Sequence, residues 1–172
     1  MNLRRYIVVG VLSSVLAACA SAPPAAPPAA RYDSAPIIAA INQAAAPVGR
    51  ELVVKPVLDP ASEGVREDAA ELQSQGRLDE AGTVLDAALE TRTDDPVLLQ
   101  ARAENAVLRG DLAAAERFAR RATAAGAQAG PQCRRHWETL VQVLAVQGAE
   151  AADLEAARNS RAACTVAAPP RY

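Results

Sequence analysis

Aromatic side chains are almost absent from this sequence: Phe, Tyr and Trp together make up 3% of its 172 residues. The clusters of Val, Ile, Thr and aromatic residues that are typical of β-sheets are missing after residue 60. Alanine, in contrast, occupies 42 positions. The composition therefore predicts an all-α fold whose core consists of closely packed helices with small side chains.

Lysine and histidine occur once each, and 17 of the 18 basic residues are arginine. The formal net charge is −2 and there is no basic block with interleaved aromatics, so we do not expect nucleic-acid binding. The sequence also lacks a nucleophile elbow, a phosphate-binding glycine loop and paired histidines. We therefore expect a protein that is not an enzyme and that binds neither a cofactor nor a metal ion.

The first eighteen residues have the pattern of a signal peptide. Arg4 and Arg5 form a positively charged start, and the apolar run from Tyr6 to Leu16 is eleven residues long. Such a run is too short to span a bilayer as a helix. Residues 1–18 are therefore predicted to be a signal peptide that is removed from the mature protein.

The segment Leu16-Ala17-Ala18-Cys19 resembles the bacterial lipobox. This resemblance implies that Cys19 becomes the lipidated first residue, since several acyl chains on one cysteine give stable membrane attachment. The alternative is an ordinary secretory signal with an incidental cysteine. Ala20 is not the aspartate that retains such lipoproteins in the inner membrane, so we expect a lipid anchor in the outer membrane that faces the periplasm.

Residues 19–36 contain the lipidated cysteine and an Ala/Pro-rich linker. Pro23-Pro24 and Pro27-Pro28 lie among alanines, and such a stretch is extended and cannot form a core. We interpret it as a spacer of some tens of ångströms without a binding role.

Two similar segments recur at a fixed distance along the chain. The segments 76–81 and 110–115 begin with glycines 34 residues apart, and the same offset relates Leu78 to Leu112, Ala81 to Ala115 and Ala88 to Ala122. A 34-residue period in an alanine- and leucine-rich stretch indicates a repeat of helical hairpins. Here the sequence resembles the tetratricopeptide repeat (TPR) family, which implies a short α-solenoid.

The boundaries of the predicted helices follow from local signals. Asp59-Pro60 and Asp95-Pro96 place an N-cap acceptor before a proline, and Gly76, Gly110 and Gly148 are suited to helix ends. Three hairpins are predicted: residues 60–75 with 78–91, 96–109 with 111–125, and 131–147 with 149–164. They form a repeat domain at residues 59–164, followed by a tail at 165–172. The third hairpin is four residues longer than the period, so another helical-hairpin family, such as Sel1-like repeats, stays open.

Residues 37–58 form a separate N-terminal segment. Ile37, Ile38 and Ile41 predict a short helix that ends near Pro47. Lys55-Pro56 blocks a longer helix. We expect the apolar residues of this segment to dock on the first repeat and to cover its open end.

Cys133 and Cys164 are predicted to form a disulfide. They lie 15 residues before and 16 residues after Gly148, which places them at the same height in a hairpin that turns there. The periplasm is an oxidising compartment, where such a pair forms. A metal site with His136 and a redox-active thiol at Cys133 are the alternatives.

The resemblance to TPR proteins also implies a concave groove, lined by the first helix of each hairpin, that receives an extended peptide or a partner helix. Carrying these positions over by the 34-residue register predicts six groove residues: Arg66, Gln73, Gln100, Glu104, Arg134 and Glu138. Arg66 and Arg134 are the expected anchors for carboxylate or backbone oxygens. The lysine and asparagine pattern of carboxylate-clamp repeats is missing, so capture of a peptide C-terminus is not expected.

Together these features predict a protein–protein interaction scaffold, lipid-anchored to the outer membrane, that recruits an envelope enzyme or a secretion or pilus component. The alternative is a structural cell-envelope or cell-wall assembly lipoprotein that does not use the groove. An accessory factor with hydrolase or redox activity is disfavoured, because no catalytic site is evident.

Overall fold

The computed structural model describes residues 32–51, 53 and 59–169. These residues contain seven helices: α1 (Ala35–Ala44), α2 (Pro60–Ser74), α3 (Leu78–Thr91), α4 (Pro96–Arg109), α5 (Leu112–Ala125), α6 (Gly130–Gln147) and α7 (Ala151–Ala163). The described chain has no β-strand, only an isolated antiparallel bridge between Glu51 and Ala167. The predicted signal peptide, Cys19 and most of the linker lie outside the described residues. None of the described helices has the length and hydrophobicity that a membrane span requires.

The helices of the repeat region start where the local signals predict. Asp59 accepts a hydrogen bond from the backbone N–H of Ala61 at the start of α2. Asp95 accepts two such bonds, from Val97 and Leu98, at the start of α4. Because each proline that follows lacks the N–H that would be unsatisfied at its position, both starts are favourable.

The predicted helix ends are also confirmed. Gly76, Gly110 and Gly148 have φ angles of +75°, +72° and +66°, respectively. Side chains with a Cβ are strained in this left-handed region, whereas glycine is not. These glycines therefore allow tight turns between the two helices of each hairpin.

The three hairpins α2–α3, α4–α5 and α6–α7 stack in chain order, with α3 against α4 and α5 against α6. The first helices α2, α4 and α6 also contact one another in sequence. Small residues allow this close approach: Ala81 and Ala115, which the 34-residue period relates, are both fully buried. The predicted all-α repeat architecture is thus confirmed.

Helix α1 corrects the prediction for the N-terminal segment. It packs on α6 and α4 and not on the first hairpin, with Ile37 and Ile41 buried in the common core. The expectation that it covers the open end of the first repeat is wrong. That end needs no apolar cover because α2 exposes charged residues, such as Asp68 and Glu71, to solvent.

A buried arginine holds the segment that follows α1. The guanidinium of Arg134 on α6 donates hydrogen bonds to the backbone oxygens of Ala44 (3.1 Å) and Ala46 (2.7 Å) and to the hydroxyl of Thr165 (3.3 Å). It also forms a buried ion pair with Glu51. We call these contacts the Arg134 clasp, since they join α1, the following segment and the C-terminal tail to α6.

Cys133 and Cys164 form a disulfide, with their Cα atoms 5.6 Å apart. Both cysteines are almost fully buried, and the carbonyl of Cys164 accepts a hydrogen bond from the N–H of Gly130 (2.7 Å). The start of α6 and the end of α7 are thus joined beside the Arg134 clasp.

Candidate functional site

The concave face contains a cavity of about 700 Å³ beside α1. Its walls come from the first helices of all three hairpins, and residues Ala45, Pro47 and Val53 close one side. Small apolar residues such as Ala70 and Ala101 dominate the lining. Helix α1 therefore fills one part of the concave face, against α4 and α6, and the part over α2 and α4 stays open.

The structure brings four of the six predicted groove residues together: Arg66, Gln73, Gln100 and Glu104 all line this cavity. Arg134 and Glu138 do not. They line a smaller pocket of about 380 Å³ with residues of α1 and α7. Arg134 is used within the chain by the clasp and Glu138 pairs with Arg161, so the groove assignment of both is corrected.

This error has a geometric cause. One residue along an α-helix rotates the side chain by about 100°, so a register that is wrong by one residue points to a different face. The first-turn prolines Pro96 and Pro131 are 35 residues apart, not 34. The 35-residue offset relates Gln100 to Arg135, which does line the cavity and was missed. The spacing of the two prolines was the signal that could have found it.

Four polar side chains form a connected cluster at the floor of the cavity. Gln100 donates from Nε2 to the Glu104 carboxylate (2.7 Å) and to the Thr139 hydroxyl (2.7 Å). Its Oε1 lies 2.7 Å from Nδ1 of His136. Because Oε1 only accepts, Nδ1 must carry the proton, and Nε2 of a neutral His136 is then a hydrogen-bond acceptor.

His136 is neutral at ordinary pH. Burial, with a contribution from the nearby charge of Arg135, lowers the pKa of its imidazole to about 4. Arg135 itself forms a two-point ion pair with Glu104, at 2.6 and 2.8 Å. The floor of the cavity thus carries a neutral imidazole and a mutually compensated charge pair.

We predict that acid destabilises the protein through His136. The unfolded state, with a pKa near 6.5, gains a proton as the pH falls below this value, whereas the folded state gains it only near pH 4. Unfolding should therefore become easier by about 2 kcal/mol between pH 7 and pH 5. Urea denaturation at a series of pH values measures this, and in a His136→Gln variant most of the change over this window should disappear. An unchanged pH dependence in that variant would show that the imidazole is not buried and neutral.

The wall formed by α2 is also charge-compensated. Arg66 donates from Nε to Glu63 (2.9 Å), and its guanidinium also contacts Glu67 (3.4 Å). Gln73 lies one and two turns further along the same helix face and is half-buried. Both walls of the cavity therefore combine an Arg–Glu pair with small apolar residues.

Comparison with known proteins gives one informative similarity. No known protein-family model matches the sequence, and no curated protein does. The solved structure of the globular C-terminal domain of P. aeruginosa LpoP matches with a TM-score of 0.54 and 26% sequence identity. The match covers 60% of this chain and 98% of that domain. In its helical fold, this chain is therefore similar to the globular C-terminal domain of P. aeruginosa LpoP.

Proposed function

We propose that this chain is a non-enzymatic interaction module of the bacterial envelope, and that it binds a segment of another envelope protein in the concave cavity. The partner is an envelope enzyme or a component of a secretion or pilus assembly. The observation that carries the proposal is the cavity itself, to which the first helices of all three hairpins contribute. Its volume is in the range of established binding sites.

The order of segments supports an anchored module. The LpoP structure is that of a globular C-terminal domain. In this chain, too, the helical domain follows a predicted signal peptide, Cys19 and an Ala/Pro-rich linker. We propose that Cys19 is lipidated and holds the domain on the periplasmic side of the outer membrane. Replacing Cys19 with alanine should move the protein out of the membrane fraction, and retention there would contradict the anchor.

The polar floor of the cavity is better suited to binding than to covalent chemistry. The hydroxyl of Thr139 donates to the backbone oxygen of Arg135 (3.0 Å) and accepts from Gln100, so it does not pair with His136. A nucleophile needs a base within hydrogen-bond reach. Here the one imidazole is instead hydrogen-bonded to an amide.

In-cell photocrosslinking tests the proposal. A photoreactive amino acid placed at Gln73, which lines the cavity, should form an adduct with another envelope protein. Gln75 is a matched control, since it lies on the same hairpin but is exposed outside the cavity. Mass spectrometry of the adducts identifies the partner.

The two positions also separate the proposed function from its alternative. An adduct at Gln73 and none at Gln75 supports binding in the cavity. Equal adducts at both positions, or adducts only at Gln75, would contradict it and would favour an envelope assembly protein that uses another surface.

A further inference from the structure

We propose that His136 is the point at which the cavity reads its ligand: its Nε2 accepts a hydrogen bond from an N–H donor in an extended, uncharged segment of the partner. This inference rests on the proposed function and identifies the chemistry of the segment that binds. It concerns a residue that the 34-residue register did not place in the groove.

The position of Nε2 follows from the hydrogen bonds of the cluster. His136 is 96% buried, with 4% of its surface exposed. Every fully buried side-chain nitrogen or oxygen in the described part of the chain has a hydrogen-bond partner. Nε2 has none among the described residues, whereas Nδ1 is engaged by Gln100. Nε2 is therefore on the accessible edge of the ring, and His136 lines the cavity.

The loop between α5 and α6 leaves this edge open. A Cβ atom at Gly126 would lie 2.6 Å from both Nε2 and Cδ2 of His136. Any other residue at this position would thus press against the ring. The neighbouring Ala127 lines the cavity, so the acceptor lies at its end next to a small residue.

The charges around the cavity exclude a charged ligand. Arg66 is paired with Glu63 and Arg135 with Glu104, so neither wall offers an uncompensated charge. A neutral imidazole acceptor repels a carboxylate and favours an N–H or O–H group. The low pKa of His136 keeps it in this state at neutral pH.

The shape of the open part of the cavity favours an extended segment. An extended chain presents backbone N–H and C=O groups that need partners, whereas those of a helix are already satisfied. The amides of Gln73 and Gln132, on opposite walls, can supply both donors and acceptors to such a backbone. The place for a helix, against α4 and α6, is taken by α1.

The test uses peptides selected from a displayed random heptapeptide library on the mature chain in detergent micelles. The enriched peptides should be uncharged at their centre, and their binding should be lost with Ala70→Arg, which fills the cavity from an exposed position. With His136→Phe their affinity should fall about tenfold, because a donor is left without its acceptor.

A second measurement needs no substitution in the cavity. His136 is the one histidine of the chain, so its ¹⁵N imidazole signals are unambiguous. Binding of a selected peptide should shift the Nε2 signal upfield, and N-methylation of the donating peptide nitrogen should abolish the shift. Peptides that require the open cavity but leave both the Nε2 signal and the His136→Phe affinity unchanged would overturn the inference and leave the proposed function standing. A library without binders, or binders insensitive to Ala70→Arg, would contradict both.

Discussion

Replacing Arg134 with methionine should lower the Tm by on the order of 10 °C, although Arg134 was expected to be a partner-binding anchor. The substitution keeps much of the aliphatic volume but removes the guanidinium. The carboxylate of Glu51, whose pKa is held below its usual value by the hydrogen bond from Arg134, is then left buried without a counter-charge. The backbone oxygens of Ala44 and Ala46 lose their donor as well. Thermal unfolding followed by circular dichroism measures the effect.

The neighbouring arginine provides the control. Arg135 also pairs with a glutamate, but its side chain is 28% exposed, against 8% for Arg134. Arg135→Met should therefore change the Tm by only about 3 °C or less. Combining Arg134→Met with Glu51→Leu should restore part of the loss, because the uncompensated carboxylate is removed. Equal effects of the two single substitutions would show that the clasp does not hold α1.

Removing the disulfide should cost about 3–4 kcal/mol of unfolding free energy. Cys133 and Cys164 are 31 residues apart, and in the chain-entropy model the cross-link restricts a loop of this length in the unfolded state. The loop contains the whole α6–α7 hairpin, which has no further repeat behind it in the described chain. Urea denaturation of the Cys133→Ala/Cys164→Ala variant, beside the oxidised protein, measures the difference.

Reduction of the native protein supplies the control for this experiment. Reductant in the presence of urea should lower the midpoint of the wild-type chain to that of the double variant and should leave the variant unchanged. If the wild-type midpoint stays the same after thiol titration shows that both cysteines are free, the disulfide does not stabilise the hairpin.

The features that the sequence predicts well are those with local causes. A helix starts after Asp59 and Asp95 because each side chain caps the first turn, and it ends at Gly110 or Gly148 because the left-handed backbone suits glycine. The disulfide follows from the same reasoning, since its two cysteines are almost equally far in sequence from the turn at Gly148.

The features that the sequence does not predict depend on residues that are distant in the chain. Arg134 contacts the backbone of Ala44 across 90 positions and Glu51 across 83. No local pattern around either partner indicates these contacts. The place of α1 on the concave face depends on them, and for this reason it was assigned to the wrong hairpin.

The partner-binding site lies between these two cases. The 34-residue period correctly places Arg66, Gln73, Gln100 and Glu104 along one cavity, because α2 and α4 have matching lengths and turns. It fails in α6, which has 18 residues where α4 has 14. The polar cluster around His136 also escaped notice, since a single histidine carries no periodicity.

The central claim is that the open part of the concave face binds an envelope protein, and the most direct test is the yield of the crosslink from position 73 when a wall of the cavity is altered. Arg66→Glu reverses a charge that lines the cavity, and Arg77→Glu reverses an exposed charge that is likewise paired with a glutamate three residues away. We expect Arg66→Glu to reduce the adduct at least about fivefold, which corresponds to roughly 1 kcal/mol of binding free energy. We expect Arg77→Glu to leave it unchanged. Equal yields in wild type and both variants would contradict the claim.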